Sequence, residues 1–154
     1  MDALNIAVEL ETTQYIVIKI GDEQYGIDIK YVDNIVRMLK ITRVPEVQSY
    51  FKGVINLRGE VVPVMSLRLK MGLEDDVESD KTRIIIIKPD LGASVGVIVD
   101  EVREVVTLSQ RDIDENSRSG KADEKTFISG IGKYNDTLIS LLDLNMVIAD
   151  KEAV

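Results

Sequence analysis

The segment FKGVINLRGEVVPVMSL, Phe51 to Leu67, decides how this chain is read. Two apolar runs, Gly53 to Asn56 and Val61 to Leu67, flank Arg58-Gly59. Short runs rich in β-branched residues, separated by a Gly-containing turn, predict a β-hairpin. Pro63 cannot donate to a strand ladder, so it marks an edge or a bulge. A cation therefore stands near the predicted tip. Two readings of Arg58 are open: a solvated turn residue, or a side chain held out to a partner. An Arg on a rigid turn can pair bidentately with carboxylates, and Arg is enriched at interface hot spots.

The pattern occurs twice. Ile128 to Leu142 predicts a second hairpin, in which Gly53-Val54 matches Gly130-Ile131 at a spacing of 77 (130 − 53). Val64 to Leu69 matches Ile139 to Leu144 at a spacing of 75 (139 − 64), which predicts a second hairpin two residues shorter. Its tip reads Lys133-Tyr134-Asn135-Asp136. Upstream, YIVIKIGDEQYGIDIKYVDNIV from Tyr15 parallels RIIIIKPDLGASVGVIVDEVREVV from Arg83, with Gly26 over Gly96 at a spacing of 70 (96 − 26). At that spacing Ile27 meets Val97, Ile29 meets Val99, Val32 meets Val102 and Val36 meets Val106. The alternative is chance matching among Val/Ile-rich runs.

As a duplication, each half holds about five short strands, which suits a small barrel that closes its own edges. Half a chain is marginal alone, so the two halves are expected to share a core. The expected architecture is mostly β, a single domain over 1–154 with two five-stranded barrel subdomains. Their approximate bounds are 14–80, with room for the C-terminal segment to pack back, and 81–148. The groove between two barrels is the natural place for a partner.

The remaining segments fit this frame. Gln14 to Ile20 and Gln24 to Ile29 read as strands joined at Gly21-Asp22. In Tyr31 to Met38 a helical spacing of Val32, Ile35 and Val36 competes with β-branched content, and a turn followed by a strand is expected. Pro45 biases Ile41 to Val44 toward extended backbone. Arg68 to Asp80 predicts a loop with one helical turn and an exposed acidic centre, Glu74 to Glu78. Ile84 to Ile87 is a run of four isoleucines, as in a strand buried on both faces. Gly92 turns the chain into a strand from Ser94 to Val99. Gln110 to Thr126 is polar and loop-like with helix at its start, and Asn145 to Glu152 predicts a short C-terminal helix.

Composition narrows the function. The 154 residues are 45% hydrophobic and 30% charged, normal for a folded domain. A formal net charge of −8 works against nucleic acid and against an anionic membrane surface. The chain has no Cys and no His, which removes thiol nucleophiles, disulfides, Cys/His zinc sites and an imidazole base. MDALNIAVELETTQ has no basic region or long apolar core, so no secretory signal is read and the expected location is the cytoplasm. There is no Gly-rich phosphate loop, and no cofactor is expected. Acidic pairs such as Asp22-Glu23, Asp75-Asp76, Asp100-Glu101 and Asp114-Glu115 leave one alternative, a small metal-dependent enzyme using carboxylates. Neighbours on a strand point to opposite faces, which argues against such pairs converging.

EQYGIDI (Glu23 to Ile29), VDNIV (Val32 to Val36) and above all KGVINLRGEVVPVMSLR (Lys52 to Arg68) resemble the CheW family of bacterial chemotaxis coupling proteins. RIIIIKPDLGASVGVIVDEVREVVTL and FISGIGKYNDTLISLLDL are similar to the family's second half in order and spacing. The likeness runs from about Gln14 to Ile148. The NLRG block is shared with the regulatory domain of the CheA kinase and the first domain of CheV, but neither a kinase core nor a receiver domain fits in this chain. The resemblance implies two SH3-like barrels and no catalysis. It implies an adaptor between CheA and the cytoplasmic tips of methyl-accepting chemotaxis receptors, touching the membrane only through those receptors, in arrays at its inner face. It places Arg58, Asn56, Val36, Val97, Val99 and Val102 at the receptor, and Val32, Asn34, Lys52 and Gly53 at the kinase. One departure is Asn34, where many members carry Glu; Asp33 is adjacent but on another side of an extended strand.

Overall fold

Four isoleucines in a row need apolar cover on both faces, and Ile84 to Ile87 have it. Ile85 and Ile87 enter one cluster with Ile16, Ile18, Tyr25, Met65, Leu67, Val97 and Val99. Ile84 and Ile86 enter another with Ile55, Val62, Val64 and Ile98. A third cluster holds Val17, Val106, Leu108, Ile139 and Leu141. The first cluster is the core shared by two sheets, and the other two fill the inside of each curled sheet. Full burial of each Ile stabilises by about 1.5–3 kcal/mol, so this strand anchors both layers.

The structure is a computed structural model describing residues 11–115 and 127–149. The strands are β1 (Thr12–Ile20), β2 (Glu23–Asp28), β3 (Val32–Arg37), β4 (Phe51–Leu57), β5 (Glu60–Ser66), β6 (Arg83–Ile87), β7 (Val95–Val99), β8 (Glu101–Ser109), the two-residue β9 (Ile113–Asp114), β10 (Ile128–Tyr134) and β11 (Thr137–Leu142). Two short helices, α1 (Leu67–Lys70) and α2 (Leu144–Ile148), follow β5 and β11. A 3-10 turn, Ile29–Tyr31, precedes β3, so the turn-then-strand expectation holds there. The segment expected to be a polar loop over Gln110 to Thr126 opens on a 3-10 turn, Gln110–Asp112, and the C-terminal helix expected over Asn145 to Glu152 ends at Ile148; residues 116–126 and 150–152 lie outside the described residues.

One sheet runs β8-β1-β2-β11-β10-β9 and the other β3-β6-β7-β5-β4. Pair β1 with β6, β2 with β7, β3 with β8, β4 with β10 and β5 with β11, and each order becomes the other, β9 aside. The duplication is real and has a pseudo-twofold relation. Its division of the chain differs from the expected 14–80 and 81–148. The leading hairpin of each half leaves its own half and joins the closing hairpin of the other. The joints are parallel: Leu141 faces Gly26 across β11–β2, and Val64 faces Gly96 across β5–β7. A sequence repeat identifies equivalent strands, but it carries no information on which copy supplies a strand's partner.

The joints explain the two matched glycines. A Cβ on Gly26 would lie 2.8 Å from Leu141 Cδ2, and one on Gly96 2.8 Å from Ile84 Cγ2 and 3.2 Å from Val64 Cγ2. At both glycines a Cβ would crowd a side chain across the joint, Leu141 or Val64, and at Gly96 also Ile84 of its own hairpin.

The hairpins also correct the expected spacing. Gly53 pairs with Val64, and Gly130 pairs with Leu141, so Val64 corresponds to Leu141 at 77 (141 − 64). The two hairpins are therefore of equal length. A slip of two residues keeps every side chain on its own face, so apolar alternation could not detect it. At 77 the helix caps coincide as well: Ser66 Oγ accepts from Leu69 N at 3.1 Å, and Asp143 Oδ1 accepts from Met146 N at 3.3 Å.

Candidate functional site

The β4–β5 hairpin ends in a tight turn closed by the Leu57–Glu60 pair. Arg58 has φ +53° and Gly59 φ +85°. Two central residues with positive φ make the type I′ turn that matches strand twist, a turn that favours Asn-Gly. Arg is a costly choice there, by about 1–2 kcal/mol for an L-residue with an ordinary side chain. Asn56 Oδ1 accepts from Gly59 N at 3.1 Å and braces the turn. Arg58 is exposed and has no hydrogen bond or ion pair among the described residues. The twin turn, closed by Tyr134–Thr137, has Asn135 at φ +48° and Asp136 at φ +64°. Asn and Asp suit that conformation, so the twin shows the low-strain solution that Arg58 departs from.

At the other end of β4 the register skips between Phe51 and Gly53, leaving Lys52 as the extra residue of a bulge. β10 skips at the matching place, between Ile128 and Gly130. Gly53 has φ +140°, and a Cβ there would lie 2.1 Å from Thr42 O. That contact lets Thr42 bridge Val54 through two hydrogen bonds of 2.8 Å. Lys52 Nζ forms an ion pair with Asp75, which holds the Asp75 carboxyl below the usual carboxylate range. Pro63 lies outside the stretch of β5 that pairs with β7, so β4 alone flanks it and its missing N–H costs no joint bond.

The ten residues named from the sequence do not form one patch. Asn56 and Arg58 are at the hairpin tip, while Lys52 and Gly53 are at its base. At about 3.3 Å per residue the two ends are roughly 20 Å apart. Val32 and Val102, equivalent by the repeat, are half-buried and pack on the rim of the shared core. Val36 is half-buried against the interior of the second sheet. Val97 and Val99 are corrections: at 3% and 0% exposure they lie inside the shared core and cannot touch a partner. β7 is central and covered on both faces, so alternation leaves it no outward side. Asn34 turns its Oδ1 onto Ile35 N at 2.8 Å. A register skip between Val32 and Asn34 makes Asp33 the bulge residue of β3, and its side is exposed.

Sequence reasoning passed over two features of this region. Val61 stands directly opposite Asn56 and is 68% exposed, adding apolar surface beside Arg58. The alternation in Val61-Val62-Pro63-Val64, with Val62 and Val64 inward, was the available signal. Behind the hairpin, Arg68 Nε and Nη2 donate to Asp100 at 2.8 and 2.6 Å, and Gly21 N donates to the same carboxylate at 2.7 Å. The Arg68 hydrogen bonds hold Asp100 below the usual carboxylate range despite its partial burial. This node ties α1 to the β7–β8 and β1–β2 turns, across both sheets. Among the described residues no group of three or more carboxylates is placed to hold a metal ion, and no helix is long and apolar enough to cross a membrane.

Comparison with known proteins accounts for the whole arrangement. The family model of the CheW-like domain matches residues 14–152. The chain is 37% identical over 138 residues to a chemotaxis protein CheW of Helicobacter pylori, covering 90% of this chain and 82% of that one. It is 37% identical over 150 residues to a chemotaxis protein CheW of Bacillus subtilis, covering 96% and 94%. The crystal structure of the scaffolding protein TtCheW from Thermoanaerobacter tengcongensis matches with a TM-score of 0.83 at 32% identity, over 92% of this chain and 95% of that one.

Proposed function

We infer the function from one premise: this chain belongs to the CheW family. It is a chemotaxis coupling protein of the scaffold and adaptor kind. Our finer reading is that it is non-catalytic and joins the regulatory domain of the CheA kinase to the cytoplasmic tips of methyl-accepting receptors. It works as a single domain, because each sheet needs strands from both halves. Its place is the cytoplasm, in receptor arrays at the inner face of the membrane.

The observation that carries this reading is the strained, unpaired cation at Arg58. Backbone strain persists where the surroundings over-determine it, and it concentrates at functional sites. The twin turn reaches the same conformation with Asn135, so folding does not require Arg at this position. We assign Arg58, with Asn56 bracing its turn, to the receptor contact. We assign Val36 and Val102, half-buried against the two core clusters, to the receptor contact as well. Lys52 and the β3 residues Val32 and Asn34 belong to the kinase contact, with the buried Gly53 shaping the bulge that carries Lys52.

The test is co-sedimentation of the chain with CheA and receptor-tip fragments, comparing wild type, Arg58→Glu and Asn135→Lys. Arg58→Glu is expected to fold normally and to weaken the ternary complex, and Asn135→Lys to leave it intact. Absence of wild-type binding to either partner at tens of micromolar would reject the adaptor reading for this chain.

A further inference from the structure

The base of the β4–β5 hairpin opens on a groove of about 500 Å³. Ile41, Phe51 and Leu69 supply its apolar wall, Arg43 and Lys52 its cations, and Asp75 its one carboxylate. It continues along the 43–49 segment as a second concavity of about 430 Å³, which Arg43 and Lys52 also line. A bulge re-aims its side chain, and the β4 bulge directs Lys52 to this groove. Arg43 makes no ion pair among the described residues. Within the first concavity two cations face one carboxylate, Asp75, and Glu46 lines the second.

That anion is not seated at ease. Asp75 is 59% exposed, and its own Oδ1 also accepts from Asp76 N at 2.7 Å. Asp76 beside it is half-buried, with Ser66 and Lys52 acting on its carboxylate. Burial raises the Asp76 carboxyl above its ordinary value, against the opposing pull of Ser66 and Lys52. An exposed ion pair is worth little, so little opposes the parting of Lys52 and Asp75.

We propose that residues 74–78 are a self-occluding strap: Asp75 holds Lys52 in the free protein, and a carboxylate-bearing segment of the kinase domain replaces it on Lys52 and Arg43. This deepens the adaptor reading and rests on it. The strap lowers affinity for any partner lacking a correctly placed anion, because such a partner would free Asp75 without re-pairing Lys52.

The test uses the full chain as wild type, Asp75→Asn and Glu78→Gln, the last a charge-matched control in the same strap. Lys52 acetylation by an amine-reactive ester is followed by peptide mass spectrometry, and CheA regulatory-domain binding by calorimetry. Asp75→Asn is expected to speed Lys52 acetylation and to tighten binding about twofold to fivefold, the range an exposed ion pair allows. Glu78→Gln is expected to leave both at wild-type values. Unchanged acetylation in Asp75→Asn, or unchanged or weaker binding, overturns the proposal. So does an equal gain in Glu78→Gln, which would reduce the effect to net charge. If no variant binds while Lys52 acetylation still rises in Asp75→Asn, the adaptor reading has failed and the assigned partner fails with it.

Discussion

Replacing Arg58 with the residue its twin carries separates folding from presentation. In Arg58→Asn the turn keeps φ +53° at this position but exchanges an ordinary side chain for one that tolerates the left-handed region. The penalty for an ordinary L-residue there is about 1–2 kcal/mol, of which Asn recovers roughly half. Arg58 has no hydrogen bond or ion pair to lose among the described residues, so no opposing loss is expected. The variant should be more stable than wild type by about 0.5–1 kcal/mol, or roughly 1–4 °C in Tm for a domain of this size. Urea unfolding, with the slope held constant, measures the gain. Binding to receptor-tip fragments should weaken in the same protein. A variant that is less stable than wild type by more than about 0.5 kcal/mol would refute the reasoning. Arg58 would then be a packing residue, and its strain would have no functional meaning.

Three other outcomes follow from the same geometry. Asp100→Asn should cost about 2–3 kcal/mol at pH 7, since it weakens two charge-assisted bonds to Arg68 and leaves that cation unpaired. The folded Asp100 carboxyl sits below its unfolded value, so its contribution is present above about pH 4 and is lost as pH falls through the folded pKa. Urea melts at pH 7 and pH 3 should therefore show the gap between wild type and Asp100→Asn closing at low pH. Gly53→Ala should cost 3 kcal/mol or more, because its Cβ meets Thr42 O at 2.1 Å and φ +140° is strained for Ala; amide exchange should show the Thr42–Val54 bridge opening first. Fragments 1–80 and 81–154 should each be unfolded by circular dichroism and should regain strand signal only when mixed, since each sheet needs both.

Local features of this chain were legible from residue pattern, and exchanges between distant segments were not. The Ile84–Ile87 run, the Arg58-Gly59 tip and the turn-then-strand at Tyr31 to Met38 depend on near neighbours, and the structure has all three. The repeat was legible too, because equivalent strands carry equivalent apolar faces. Its pairing was not, since β5 could complete a sheet with β2 or with β7 without any change in alternation. The burial of Val97 and Val99 follows from that pairing, which puts β7 at the centre of a sheet instead of beside a groove. Lys52–Asp75 joins residues 23 apart through a bulge and an irregular loop, neither of which has a period to read. For Arg58, residue type alone left both readings open. The left-handed φ, with Asn135 as the counterexample, is the observation that supports our assignment.

Strand exchange between the halves also sets a timetable for synthesis. β2 emerges early, but its parallel neighbour β11 lies about 115 residues later, as Tyr25 faces Ser140 (140 − 25). At 5–20 residues per second the ribosome needs roughly 6–23 s to supply it. Until then the β2 edge stays open, while Ile16, Ile18 and Ile27 gain cover from Met65, Leu67, Ile85 and Val97 as β5 to β7 emerge. Slow codons after β7 would lengthen the exposure of that edge alone.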